Sequence, residues 1–537
     1  NILNICVEYL LENIESCYMR IIFVILCLQI SGYAFADSSI VESTLNLSES
    51  NVTYTSLKNI ESIAQPLQSP NPNENFIGRY SYFQNPYNGM TTGGGTLHLT
   101  ESQIEQQNWA EKLFAGGTYN VFSGVVYNQW DGYYQSSGKG YGSTVFGQTG
   151  QLGGFSIGGV FSAMNPIGAL NDQINPIIPN SPVSNRFSSA YVPTFTSYTF
   201  PEAFIEYQYN NIVNADVGFV DFSNSPWLAG NMYYSNMPVP TSYQGVNLNI
   251  YAGSGWVLTG LAFNGAEYGA QPGFTGETNY NWLAQKSGYS NSSDGTIALG
   301  AQYTDDSGNY NARLWGYQFD NFGTLLYGDT SLNFPIKNNK NSFSIAAQLV
   351  SDQQWFQASN AMTNASSNAG NIQSYATGIN LGWAYDQNLW QVNLSANKMW
   401  GTDNSWGGGA IVSPYTQALQ VDPLYSEAWS YNMVTQGQPG NMYKLQAQYA
   451  LGWWGQNLLF RPVYVYVDNN NIATNGLQEL DLILEYAIPQ VRGLNIFGAY
   501  AQQWYRTGAN NDPTRGSTVP NGQYQPIEIQ SSIFYTW

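Results

Sequence analysis

Ile527-Glu528-Ile529-Gln530-Ser531-Ser532-Ile533-Phe534-Tyr535-Thr536-Trp537, the last residues of the chain, decide the fold. Ile527, Ile529, Ile533, Tyr535 and Trp537 fall on one side of a two-residue repeat, and Glu528, Gln530, Ser532 and Thr536 on the other. That period is a β-strand with one apolar face. The edge strand of a secreted sandwich would read the same way, so the other end of the chain has to separate the two. There, Met19-Arg20, the apolar run Ile21 to Leu28 and the small-x-small site Ala34-Phe35-Ala36 have the form of an export signal. An exported chain that closes on an alternating, aromatic-ended strand is expected to be a transmembrane β-barrel whose last strand pairs with its first. The expected layout is 1–18 upstream of the true start, 19–36 signal peptide, 37–75 periplasmic tail and 76–537 barrel.

Composition narrows the class. Only 9% of residues are charged, while 43% are hydrophobic and the mean hydropathy is −0.27. Solvation therefore falls to Asn, Gln, Ser, Thr and Gly, and 41 Tyr with 16 Trp suit aromatic girdles at two interfaces. A helical membrane protein needs about twenty consecutive apolar residues per span. No such run follows the leader, so entry into a bilayer requires a closed barrel. Cys6, Cys17 and Cys27 all precede the cleavage site, which removes disulfides, thiolate metal sites and thiol nucleophiles from the exported part. Lys and Arg number 16 against 35 Asp and Glu, a formal net charge of −19, and nucleic acid is an improbable partner.

Along the chain, residues 37–75 are rich in Ser, Asn, Glu and Pro, too short and polar for a folded plug. From Phe76 onward, alternating stretches recur. Tyr443, Leu445, Ala447 and Tyr449 oppose Lys444, Gln446 and Gln448; Leu480, Leu482 and Leu484 oppose Glu479, Asp481 and Glu485; Val392, Leu394 and Ala396 oppose Gln391, Asn393, Ser395 and Asn397. Lipid outside and water inside accounts for both faces. Turns at 305–309 and 337–341 are tight, whereas 162–200, 264–294 and 401–440 are long, as expected of two unlike rims. The length allows about eighteen strands, and sixteen also fits.

Three stretches resemble the OprD family of outer-membrane porins. Asn224-Ser225-Pro226-Trp227 followed by Asn236-Met237-Pro238 and Gln244-Gly245-Val246 is similar to the family's inward-folded third loop. Gly401-Thr402-Asp403, Ser413-Pro414-Tyr415 and Glu427-Ala428-Trp429 resemble its late loop. Glu479 to Tyr486 with Gly493-Leu494-Asn495-Ile496 resembles its acidic penultimate hairpin. The resemblance implies a single barrel with long extracellular loops and short periplasmic turns, acting as a diffusion channel. Members of the family that move charged substrates carry a ladder of lumenal arginines and a basic residue in the third loop; here that loop has no Arg or Lys between Gly218 and Asn247, so the substrate class does not carry over.

No enzyme signature appears. The single histidine, His98, lies in an alternating stretch, and there is no GxSxG elbow, His-rich metal cluster or other catalytic or metal constellation. No cofactor is implied. A constriction is expected from Asp221, Ser223, Asn224, Ser225, Tyr233 and Tyr234. On the wall, Arg313, Lys444 and Arg461 share inward parity with Glu479, Asp481 and Glu485, either as charges opposed across a pore or as salt bridges between neighbouring strands. The expected function is a porin for small hydrophilic solutes, neutral or cationic rather than anionic, in the bacterial outer membrane. Its partners would be membrane lipid and lipopolysaccharide, and the barrel assembly machinery through the last strand. The alternative is an adhesin or receptor barrel whose long loops bind a host or phage. Monomer and trimer stay open.

Overall fold

The structure, a computed structural model, describes the chain from 118 to 536 apart from 132–134, 168–186, 190–191, 194–195, 211, 221, 223–224, 229–241, 268–294, 321, 337–339, 355–370, 386–389, 403, 417–422, 437–438, 452–457, 470–474, 489–493, 505–510, 513–516 and 519–526. The export signal, the tail, the barrel's expected start at 76 and the stretch around His98 lie outside these residues.

Eighteen antiparallel strands form one closed sheet. They are β1 (Thr118–Asp131), β2 (Gln135–Gln148), β3 (Phe155–Pro166), β4 (Ser197–Tyr209), β5 (Val213–Val220) and β6 (Ser242–Gly253). Then follow β7 (Trp256–Glu267), β8 (Thr296–Thr304), β9 (Tyr310–Phe319), β10 (Gly323–Pro335), β11 (Asn341–Gln353) and β12 (Gln373–Tyr385). The last six are β13 (Trp390–Gly401), β14 (Gly440–Leu451), β15 (Leu458–Asn469), β16 (Gln478–Ala487), β17 (Leu494–Trp504) and β18 (Ile527–Thr536). Each strand pairs with its sequence neighbours, and β18 closes the ring on β1 with Phe122 opposite Thr536 and Asp131 opposite Ile527. Closure matters physically because an unpaired strand edge in hydrocarbon would strand a row of amides and carbonyls without partners.

The period-two pattern sets the two faces. On β13, Leu394 is 54% exposed while Asn393 and Ser395 on either side are 1% and 6% exposed. Tyr443 and Leu445 on β14 and Leu482 and Leu484 on β16 point outward in the same way, and Glu528, Gln530 and Ser532 of the final strand point inward opposite the outward Ile533. Apolar side chains thus cover the outside as a belt, and the buried polar residues belong to the bore.

The rims differ as the sequence led us to expect. Connections after even-numbered strands are as short as 254–255 and no longer than 149–154, 452–457 or 488–493. Connections after odd-numbered strands include 167–196, 221–241, 268–295 and 402–439. The tight turn at 305–309 is held by Asp305, whose carboxylate accepts from the backbone N–H of Tyr310 (2.7 Å) and the Ser307 hydroxyl (2.5 Å).

If the outward face meets hydrocarbon, Leu394→Arg near the middle of β13 is expected to destabilise the folded barrel by about 2–4 kcal/mol in lipid vesicles, measured by denaturant unfolding.

Candidate functional site

Among the described residues, two long-rim connections turn into the bore. The first is 221–241, the third on that rim. It leaves β5 just after Gly218, whose φ of 134° and contact with the Ala203 carbonyl leave no room for a side chain. Phe222, Ser225, Trp227 and Leu228 are all buried. Ser225 Oγ lies 2.8 Å from the hydroxyl of Tyr317, an inward residue of β9, and the Trp227 ring meets inward Tyr327 of β10 edge-on at 6.1 Å. Of the six residues expected at a constriction, Ser225 is therefore inside the barrel. Asp221, Ser223, Asn224, Tyr233 and Tyr234 lie outside the described residues.

The second is 402–439, read from sequence only as a long rim connection. Gly409, with φ 106°, packs against Gly401 so closely that a Cβ on either would collide with the other's backbone. That contact doubles the chain back from the end of β13 into the bore. From there it crosses the lumen. The Tyr415 ring reaches Phe263 on β7 (4.9 Å), Tyr243 on β6 (5.9 Å) and Phe319 on β9 (5.9 Å). Farther along, the Trp429 ring packs on Phe497 of β17 (5.5 Å). In a ring of eighteen strands, β7 and β17 stand on opposite sides, so this one connection spans the bore. Ile411, Val412, Leu424, Ala428, Met433 and Val434 are buried with it, and their removal from water supplies the drive for the inward path.

Lumenal carboxylates fix the crossing in place. Asp352 of β11 accepts the Val412 N–H at 2.7 Å. On the far side, Asp481 accepts the Trp429 N–H at 3.0 Å, Glu479 accepts the Ser430 N–H at 2.6 Å and Glu528 accepts the Ser430 hydroxyl. Lys444 Nζ donates to the Glu427 carbonyl at 3.1 Å, and Asn397 Oδ1 accepts the Ser426 N–H at 2.8 Å. These are the bonds a buried loop backbone requires, since an unmet buried N–H costs about 1–3 kcal/mol.

The expected wall residues Arg313, Lys444, Arg461, Glu479, Asp481 and Glu485 all sit at inward positions. Arg313 makes a two-pronged pair with Asp329 of the adjacent strand, Nε at 2.9 Å and Nη2 at 2.6 Å. Arg461 lies 3.7 Å from Glu485 on the neighbouring β16 and donates to Gln448 at 3.1 Å. In both pairs the opposite charges are thus cross-strand neighbours. A second acidic group went unread in the sequence. Glu206 on β4 and Asp216 on β5 are Cα partners, both inward and half-buried. Glu206 accepts from Ser156 (2.8 Å), Gln148 and Asn214, and Asp216 from Asn247 (3.4 Å). Their strand parity was the available signal.

No family model and no curated protein matches this chain. Solved structures do. The barrel superposes on Pseudomonas aeruginosa OpdK, solved with vanillate, at TM-score 0.59 and 12% identity, over 79% of this chain and 99% of that one. Acinetobacter baumannii OccAB2 matches at 0.59 and 12%, over 79% and 99%. Pseudomonas aeruginosa OccK9 (OpdG) matches at 0.59 and 12%, over 80% and 100%. The chain has the fold of these OprD/Occ porins.

If carboxylates hold the crossing segment, Glu479→Gln together with Asp481→Asn is expected to raise amide hydrogen exchange at Trp429 and Ser430 tenfold or more, because bonds to charged acceptors are worth about 1.5–3 kcal/mol each. Exchange read by mass spectrometry in detergent micelles checks this, with the Val412 region, held by Asp352, as the internal reference.

Proposed function

We propose that this protein is a bacterial outer-membrane porin that lets small hydrophilic solutes diffuse passively, favouring neutral and cationic solutes over anionic ones. The bore supports the first part. Inward Asn393, Lys444, Gln446 and Arg461 make part of its wall polar, inward Phe263, Phe319 and Phe497 make part of it aromatic, and the two inward connections narrow the passage with hydrogen-bonding groups and aromatic rings. Size and polarity would then set what passes.

The charge preference rests on Glu206 and Asp216. Asp329 and Glu485 are matched by arginines, and Asp352, Glu479 and Asp481 are engaged with the crossing segment. The hydrogen-bond donors to Glu206 and Asp216 among the described residues are neutral amides and a hydroxyl. A paired carboxylate site on a half-exposed stretch of the wall raises local cation concentration, and low-dielectric surroundings focus the field into the bore. Screening limits its reach to about 8–10 Å at physiological salt, a distance that matters in a narrowed lumen and not at an open surface.

Reversal potentials across a potassium chloride gradient in planar bilayers test both parts. The expected wild-type result is cation selectivity, and Glu206→Gln with Asp216→Asn is expected to move the reversal potential towards zero. Anion selectivity in the wild type would contradict the assignment.

A further inference from the structure

Midway down the bore, three strands carry amides at inward positions. Asn393 on β13 has Gln446 on β14 and Gly382 on β12 as its Cα partners. Its Oδ1 lies over Gly382, where a Cβ would come within 2.8 Å of it and closer still to Ser344 Oγ, so the glycine leaves both side chains room. Asn380, one inward step nearer the long rim on β12, accepts the Ser395 hydroxyl at 2.8 Å. Yet Asn380 Nδ2, Gln446 Nε2 and both polar ends of Asn393 are buried without a hydrogen-bond partner. Buried amides are rarely left unmet, and four such atoms on adjoining strands call for a polar group supplied from elsewhere.

Among the described residues of β12, β13 and β14 the unmet side-chain atoms are confined to this level, while others lie elsewhere in the barrel, on Gln530 of β18 for example. Towards the long rim, Asn397 accepts the Ser426 N–H, and Gln348, with its amide turned to donate to the Pro423 carbonyl (3.0 Å), accepts from Tyr425 N (2.9 Å). Towards the short rim, Arg461 donates to Gln448 and Gln448 to Gln391 (3.2 Å). The amides between are thus framed by satisfied ones.

We propose that Asn380, Asn393 and Gln446 form a docking subsite for a neutral, polyhydroxylated solute, a sugar or polyol, moving through the bore. The inference rests on the porin reading and gives it a substrate class. A hydroxyl both donates and accepts, so a row of them can meet the three N–H groups and the Asn393 carbonyl oxygen together. A carboxylate only accepts and leaves that oxygen unmet. An ammonium only donates and leaves the N–H groups unmet. The crossing segment lies beside the subsite, with the Glu427 carbonyl on Lys444, one inward step from Gln446.

The test uses the full-length protein in planar bilayers, with potassium chloride carrying the current and a neutral trisaccharide, gluconate or glucosamine added. The trisaccharide is expected to interrupt the wild-type current. Asn393→Leu and Gln446→Leu are each expected to shorten the interruptions about tenfold, since each removes amide contacts and no charge. Asn393→Ala replaces the leucine variant should that one fail to shift on heating in a gel. Absence of any wild-type current would refute the porin reading and the subsite together. Normal current without trisaccharide interruptions, interruptions of unchanged length in the variants, or longer interruptions by gluconate or glucosamine would overturn the subsite alone.

Discussion

In hydrocarbon, every backbone amide and carbonyl needs a partner within the protein, and the pairing of β18 with β1 is what meets that demand here. Closure at eighteen strands has a second consequence. Barrels of about eight strands can be filled by their own wall side chains, whereas rings of sixteen to eighteen leave an aqueous channel. In this protein, chain from the rim enters that space: the stretch ending at Leu228 and, above all, the segment from Gly409 to Val434. The lumen's chemistry is therefore shared between wall and inserted chain.

Inserting a connection carries its own requirement. Its backbone brings polar groups into the bore, and the wall answers with Asp352 on one side and Glu479, Asp481 and Glu528 on the other. Carboxylates suit this work, since each oxygen accepts more than one bond, and Glu479 also accepts from Gln503 at 2.8 Å. These four carboxylates therefore have a structural task. The neighbours Glu206 and Asp216 differ in that, among the described residues, their donors are wall side chains, Gln148, Ser156, Asn214 and Asn247, and the proposed charge preference rests on them.

The fold was legible because lipid imposes a strict period. Leu394 against Asn393 and Leu445 against Lys444 repeat on strand after strand, and Gly and Asn mark the turns. The third connection's inward turn entered through the resemblance at Asn224 to Trp227. The crossing of 402–439 was missed as a structural fact, although its residues carried the sign: a solvated loop has little use for Ile411, Val412, Tyr415, Leu424, Trp429 and Val434 together. Pairings across the wall were less accessible. Arg461 and Glu485 share parity in the sequence, but whether they meet across the bore or along it depends on register, and register is fixed by the whole ring. Glu206 and Asp216 become neighbours only through the short β4–β5 turn.

The account turns on the inserted segment, and a distance measurement reaches it most directly. Cysteines occur only at Cys6, Cys17 and Cys27, upstream of the barrel, so a Tyr415→Cys, Phe263→Cys pair can be addressed cleanly. A short bismaleimide is expected to join the two positions, whose native rings lie 4.9 Å apart, and peptide mass spectrometry would show the linked fragment. Free labelling of position 415 by a bulky external thiol reagent, with no linked fragment, would contradict a segment that crosses the bore.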